Sequence, residues 1–228
     1  LGLPTYSMPP SIITLEKSKF DFSSALILII SQSGMSEDLI ECEKKSQLMG
    51  ATTILISNND KSPMVNTSNI FFNINAGEEK SVAATKTFVL TIIIIIKIIF
   101  QTLGKNINSN IEILSNILMN DMHNQWDTKI IDKSTNVGFI IGRGVGYAIA
   151  NEISLKFKEL SQEMIEPFSS AEVMHGPKSL IQNSFKVFTM SLNDNSGNIV
   201  KRDSKEITNL TNLHYEISYT PENKNTLF

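Results

Sequence analysis

The chain has 228 residues, a formal net charge of -3 and a hydrophobic share of 41%. That is enough for one large domain or two small layered ones, and the slightly acidic balance excludes nucleic-acid binding by bulk electrostatics, so a phosphate here must be held locally. The single cysteine, Cys42, excludes an intrachain disulfide; His123, His175 and His214 fall at no zinc-ligand spacing, and a reducing, cytoplasmic setting fits.

The chain opens on Leu1, with no secretory signal near it, and the start reads as a fragment boundary. ALILII (25–30) is a buried strand by pattern, and SQSGMSEDLI (31–40) follows it. Ser31, Gln32, Ser33 and Ser36 offer hydroxyl and amide donors there, and Gly34 permits a tight turn. Such a corner, at the carboxyl end of a strand and the start of a helix, suits an anion. The plainer alternative is a capped turn, with Ser36 as N-cap and Glu37 and Asp38 complementing the dipole. Leu39, Ile40, Cys42 and Leu48 mark one helical face, which Gly50 stops.

TTILIS (52–57) and NIFFNI (69–74) are the next strands by pattern. In AGEEKSVAATKTF (76–88), Ser81, Thr85 and Lys86 either close over a ligand or cap the helix that follows. FVLTIIIIIKIIF (88–100) includes Lys97 and is shorter than the roughly 20 residues a bilayer span needs, so it reads as a buried element; its β-branched residues weigh against a helix, its length and the AATK entry weigh for one, and a helix is favoured. The polar, asparagine-rich stretch 105–135, with a helix around 111–122, is the expected domain boundary.

VGFII (137–141) starts a second series, and GRGVG (142–146) follows it as G-x-G-x-G, missing the third glycine of the dinucleotide fingerprint. Close helix-to-strand packing is the weightier account of those glycines. A helix is expected over 147–162, where Ile149, Ile153, Phe157 and Leu160 recur at steps of three and four. It puts Glu152, Lys156 and Glu159 on one face, which suits either a carboxylate set for proton abstraction or a solvated salt-bridge ladder; Lys158 is expected to be exposed. In EPFSSAEVMHGPKSLI (166–181), His175 before Gly176 and Pro177 stands in a fixed turn, and it and Glu172 are either proton-transfer groups or structural ones. KVFTMSL (186–192) and HYEISY (214–219) complete the strands. The alternation predicts parallel sheets with crossover helices.

Taken in order, SQSGMSEDL, AGEEKSVAATKTF, GRGVGYAIANEISLKFKEL and EPFSSAEVMHGPKSLI resemble the sugar isomerase (SIS) family. More narrowly they resemble the isomerase half of glutamine:fructose-6-phosphate amidotransferase and the isomerase-type glucosamine-6-phosphate deaminases. The resemblance implies an α/β fold of two flavodoxin-like SIS units, each a parallel sheet flanked by helices in three αβα layers. Both are expected to be incomplete: a first domain over 1–104, a helical linker over 105–134 and a second domain over 135–228. It further implies that Ser31, Gln32, Ser33 and Ser36 hold the phosphate, that Val82 and Ala84 line the sugar, and that Glu159 is the C1–C2 base with Lys156 beside it. His175 is the implied ring-opening residue, reaching the site from the second subunit of a homodimer. No metal, cofactor, nucleic acid or membrane enters this picture.

The implied reaction is that of an amino-sugar phosphate isomerase/deaminase, glucosamine 6-phosphate to fructose 6-phosphate and ammonia. Ala84, where the synthase usually has serine, and EPFSSAEVMHGP lean that way. The alternatives are the isomerase part of glucosamine-6-phosphate synthase, a plain sugar-phosphate isomerase, and a non-catalytic sugar-phosphate-binding SIS protein. Relatives continue before the position of Leu1 and beyond that of Phe228, so activity of the chain as given is an open expectation.

Overall fold

The computed structural model describes residues 2–15, 19–123 and 133–219. Leu1, stretch 124–132 of the expected linker and residues 220–228 of the expected second domain lie outside the described residues. The chain divides into two compact units, Leu1–Ile113 and Leu114–Phe228.

The first unit starts with a short helix α1 (Pro10–Thr14) and alternates strand and helix through β1 (Leu26–Ser31), α2 (Glu37–Leu48), β2 (Thr52–Ser57), β3 (Ile70–Asn73) and α3 (Lys86–Thr102). Its three strands pair in parallel in the order β1-β2-β3, with Leu28 opposite Ile54 and Leu55 opposite Phe71. The strands are runs of β-branched and leucine side chains, and their period of two sends alternate residues to opposite faces. Ile29 and Leu55 meet Leu39 and Ile40 of α2 on one face, and Ile54 and Ile56 meet Leu90, Ile94, Ile95 and Ile98 of α3 on the other. The isoleucine run is therefore a helix layered on a sheet. Each fully buried side chain of this kind, such as Leu55 and Ile56, contributes about 1.5–3 kcal/mol.

Helix α4 (Asn108–His123) bridges the two units in sequence. The second unit then runs β4 (Val137–Gly142), α5 (Val145–Lys156), β5 (Met164–Ser169), α6 (Ser170–His175), β6 (Lys186–Leu192), α7 (Asn195–Ile207) and β7 (His214–Tyr219). Its four parallel strands lie in the order β5-β4-β6-β7. Ala150 and Ile153 of α5 pack with Ile140, Ile165, Phe188 and Met190. On the opposite face Val173 of α6 and Ile207 of α7 pack with Phe139, Ile141 and Val187. Each unit is thus three layers, helix on sheet on helix.

Two expectations are corrected. The helix expected over 147–162 begins at Val145 and ends as an α-helix at Lys156; Phe157–Ser161 forms a π-helical turn, closed by Gln162 in the left-handed conformation (φ 57). Residues Met164–Ser169, where no strand was expected, are strand β5. Pro167 hid it, but β5 is an edge strand, where a missing N–H is tolerated.

The centre of the second sheet has a polar constraint of its own. Lys186 on β6 is fully buried and its ammonium meets Glu163 at 2.7 Å. Beside it on β4 only glycine fits at position 138, since a Cβ there would lie 2.4 Å from the Lys186 carbonyl oxygen. Such a pair adds little net stability but is costly to break.

Candidate functional site

In the first unit, β1 delivers Ser31 to the carboxyl edge of the sheet, and the chain must reverse into α2 within five residues. Gly34 makes the turn with φ +63, and a Cβ on it would sit 2.5 Å from Ser62 Cβ, so both conformation and space require glycine. The Ser31 hydroxyl is buried and accepts the Gly34 N–H at 3.1 Å; the Ser33 hydroxyl accepts the Met35 N–H at 3.3 Å. From the next loop Ser62 donates to the Gly34 carbonyl at 2.6 Å, and the Asn59 amide donates to the Ser33 carbonyl at 2.8 Å. The loop is therefore held from below and open above. Gln32, Ser33 and Ser36 are exposed, and Ser36 occupies the N-cap position of α2 without a side-chain bond to the helix. Its hydroxyl and the first-turn N–H groups of α2 are free to meet an anion, opposed by Glu37 and Asp38 in that same turn. Asp38 is partly occupied, accepting the Thr14 hydroxyl at 2.6 Å.

The stretch bearing Val82 and Ala84 reaches the same edge through Asn58. The Asn58 backbone N–H donates to the Gln32 carbonyl at 3.2 Å, its side-chain amide donates to the Gly77 carbonyl at 2.7 Å, and its Oδ1 accepts the Ala76 N–H at 2.8 Å. One residue thus ties the serine corner to the loop after β3. Val82 is 93% exposed and Ala84 is half-buried. The helix that follows is capped by Glu79, whose Oε2 accepts both the N–H and the hydroxyl of Thr87 at 3.1 Å. These bonds, the backbone one first, lower the Glu79 pKa. Neither Ser81 nor Thr85 caps α3, and Lys86 reaches the Glu78 carbonyl at 2.6 Å. Asn58, Asn59, Ser62 and Glu79 escaped the sequence reading, since a polar turn such as SNNDKSP carries no register that would reveal which amide reaches which loop.

In the second unit Lys156, in the last turn of α5, lies between two carboxylates: Glu152 at 3.0 Å and Glu159 at 3.1 Å. The three side chains keep 21–31% of their surface exposed, which is less than a freely solvated ladder would. Desolvation pulls the Lys156 pKa down, but the hydrogen bonds and charges of Glu152 and Glu159 outweigh it and hold the ammonium above the ordinary lysine value. Lys156 bonds to Oε2 of Glu159, which leaves Oε1 as a free acceptor. Glu159 sits on the π-helical turn, a local widening that recurs at functional positions. The turn is anchored on one side by Phe157 against Phe188, with centroids 5.1 Å apart, and on the other by the bond from Glu163 N–H to the Phe157 carbonyl. Lys158, expected to be exposed, is half-buried and pairs with Glu166 at 3.2 Å.

His175 is exposed and closes α6, one residue before the turn in which it was expected. Within its unit it is not brought to Glu159, because α5 and α6 cover opposite faces of the sheet. Among the described residues, no group of three metal-binding side chains occurs. No described helix is long and apolar enough to cross a membrane.

Comparison with known proteins places this geometry. The SIS domain pattern matches residues 22–98 and 133–202, one stretch in each unit. The chain is 34% identical over 200 residues to a glutamine–fructose-6-phosphate aminotransferase of Buchnera aphidicola, covering 81% of this chain and 32% of that protein. It is 31% identical over 173 residues to the Sulfolobus acidocaldarius enzyme of the same name, covering 74% of this chain and 29% of that one. It thus spans about a third of the length of these curated relatives. Among solved structures, one from Silicibacter pomeroyi, provisionally named a phosphosugar isomerase, superposes with a TM-score of 0.86 at 30% identity, covering 97% of this chain and 68% of that one. The carboxyl-terminal domain of the Francisella tularensis glucosamine–fructose-6-phosphate aminotransferase superposes with a TM-score of 0.78 at 24% identity, covering 94% and 68%, a likeness of fold. With two matched stretches, each on its own parallel sheet, the chain belongs to the SIS domain family.

Proposed function

We propose that this chain carries the sugar-phosphate isomerase chemistry of an amino-sugar phosphate isomerase/deaminase, converting glucosamine 6-phosphate to fructose 6-phosphate and ammonia. The observation that carries the reading is the serine corner after β1, where Gln32, Ser33 and Ser36 stand exposed above a loop fixed from below, beside an N-terminus without a side-chain cap. Phosphorylated sugars in the names of the relatives fit that corner.

In this reading Ser31, Gln32, Ser33 and Ser36 hold the 6-phosphate, with Val82 and Ala84 beside the sugar. His175 opens the ring, moving the C1 hydroxyl proton to the ring oxygen. Glu159, through its free Oε1, takes the proton from C2 of the open aldehyde and returns it to C1. The C2–H bond is lost and a C1–H bond forms, while an N–H proton of the C2 amine passes to O1, leaving a C2 imine and a C1 hydroxyl. Water adds to C2, ammonia leaves, and the ketone of fructose 6-phosphate remains. Lys156 holds Oε2 and keeps the carboxylate oriented.

A homodimer belongs to the same proposal. His175 and Glu159 lie on opposite faces of one sheet, which supports a His175 that serves the site of a second copy. A second reading, the isomerase part of a glucosamine-6-phosphate synthase, is favoured by the names of the curated relatives.

The test is ammonia release coupled to fructose 6-phosphate formation. Glu159→Gln is expected to lower turnover by about 10²–10⁴-fold while sugar-phosphate binding persists. Mixing Glu159→Gln with His175→Ala protein is expected to restore part of the activity. Unchanged turnover in Glu159→Gln sinks the reading; no restoration on mixing removes the shared site.

A further inference from the structure

We infer that the second unit carries a phosphate site of its own, at the switch point of its sheet, for the phosphoryl group of a small metabolite. The order β5-β4-β6-β7 means that the chain leaves β4 to one side and returns beyond it to β6, so the loops after β4 and β6 diverge to opposite faces. Open α/β sheets bind ligands in the crevice that such a divergence leaves. Here the crevice is lined by Gly142-Arg143-Gly144 and by the loop that follows Leu192. The two loops touch: a Cβ on Gly144 would lie 2.7 Å from Ser196 Oγ, and one on Gly146 3.5 Å from Leu192.

Two independent features point to a ligand. The hydroxyls of Ser170 and Ser191, 0% and 1% exposed, are buried and make no hydrogen bond. Buried hydroxyls without partners are rare and costly. Both belong to this edge. Ile141 pairs with Thr189 and Gly142 with Ser169; Ser191 lies two residues beyond Thr189, as Arg143 does beyond Ile141, and Ser170 follows Ser169 as the first residue of α6. Phe188 and Met190 pack toward α5, so Ser191, on the same strand, is directed to the other face.

The second feature is charge. Arg143 is half-buried and, among the described residues, makes no ion pair or hydrogen bond. The N-terminus of α5 has Gly144 as its N-cap and no side-chain cap. That of α7 is already occupied by Asp194, which accepts the Gly197 N–H at 2.6 Å, and this carboxylate confines an anion to the β4 side.

The test is an NMR titration of the 228-residue chain, ¹⁵N-labelled, with inorganic phosphate and separately with fructose 6-phosphate. Saturable shifts are expected at the amides of Gly142, Gly144 and Gly146. Arg143→Gln is expected to weaken that response by about tenfold or more, as for loss of a charge-assisted bond. Ser191→Ala is expected to weaken it too, while melting no lower than the unmodified chain without phosphate, because it deletes an unsatisfied group. Ser33→Ala with Ser36→Ala is expected to remove the response of residues 31–36 and spare that of 142–146, which separates this site from the proposed sugar-phosphate site. A tighter response to fructose 6-phosphate than to phosphate supports the site with a sugar-phosphate ligand; equal responses support it with the phosphoryl group alone. Silence at 142–146 with both probes overturns it. So does a response in Arg143→Gln and Ser191→Ala that equals that of the unmodified chain, which denotes an adventitious ion only.

Discussion

The corners after β1 and β4 occupy the same place in their units, where a parallel strand ends and the next helix begins, yet they are built differently. After β1 the donors lie within the corner itself, on Gln32, Ser33 and Ser36, and neighbouring loops serve to hold it, through Ser62 and Asn59. After β4 the corner is glycine and one arginine, and the polar groups come from neighbouring elements, Ser170 at the start of α6 and Ser191 on β6. A repeated fold thus fixes where an anion can sit and leaves open which residues supply the donors. The serine corner is legible in sequence because its donors are consecutive. The glycine corner is not, because Ser170 and Ser191 lie 27 and 48 positions after Arg143 and come to one edge only through the order of the strands.

The sharpest way to break the contrast is to add one methyl group to each corner. Gly34→Ala forces a left-handed alanine and drives its Cβ into Ser62 Cβ, which has no freedom to move. A loss of roughly 2–5 kcal/mol is expected in urea unfolding, from strain and overpacking together. Gly144→Ala meets the rotatable Ser196 hydroxyl, with Ser196 Cβ at 3.3 Å, so its loss comes mainly from the strain of φ +56, about 1–3 kcal/mol. Equal losses would mean that the first corner is no more tightly packed than the second.

Next in size is the division of labour between the corners. Gln32→Ala with Ser33→Ala is expected to raise KM for the sugar phosphate by about tenfold or more at nearly unchanged kcat, as for lost charge-assisted bonds to phosphate. Arg143→Gln is expected to leave both parameters alone. A KM that rises in Arg143→Gln instead would assign the substrate phosphate to the second unit.

Six of the strands and the helix α2 were readable from apolar pattern, α4 was expected within the polar linker, and the isoleucine run was favoured as helix α3 for its length and its AATK entry, against its β-branched residues. What escaped did so for local physical reasons. β5 carries Pro167, which argues against a strand unless its edge position is known. The π-helical turn at Phe157–Ser161 leaves no mark, since Phe157 and Leu160 still fall at helical steps. Of the site, spacing alone put Glu152, Lys156 and Glu159 together, and their distances agree. Spacing could not tell that His175 lies across the sheet from them, because that depends on which face each crossover helix takes.

The smallest expected effect again separates the units. All three histidines, His123, His175 and His214, follow Ile113, so none belongs to the first unit. His214 lies on β7, half-buried, its Nε2 3.0 Å from the Thr189 hydroxyl. Burial lowers its pKa, against a weaker upward pull from Glu216. Above its ordinary value of 6.5 the ring is neutral in both folded and unfolded chains, so it gives stability no pH dependence there. As pH falls through that value the unfolded chain takes up a proton that the folded one resists, and stability declines until the folded ring also titrates. The urea midpoint of the second unit is therefore expected to drop between pH 7.5 and 5.5 by more than carboxylate titration alone produces. His214→Gln, which keeps a partner for Thr189 and cannot titrate, is expected to reduce that drop and to leave the unfolding of the first unit unchanged. A drop of the same size in His214→Gln would place the acid sensitivity elsewhere, with the carboxylates that flank Lys156 as the next groups to examine.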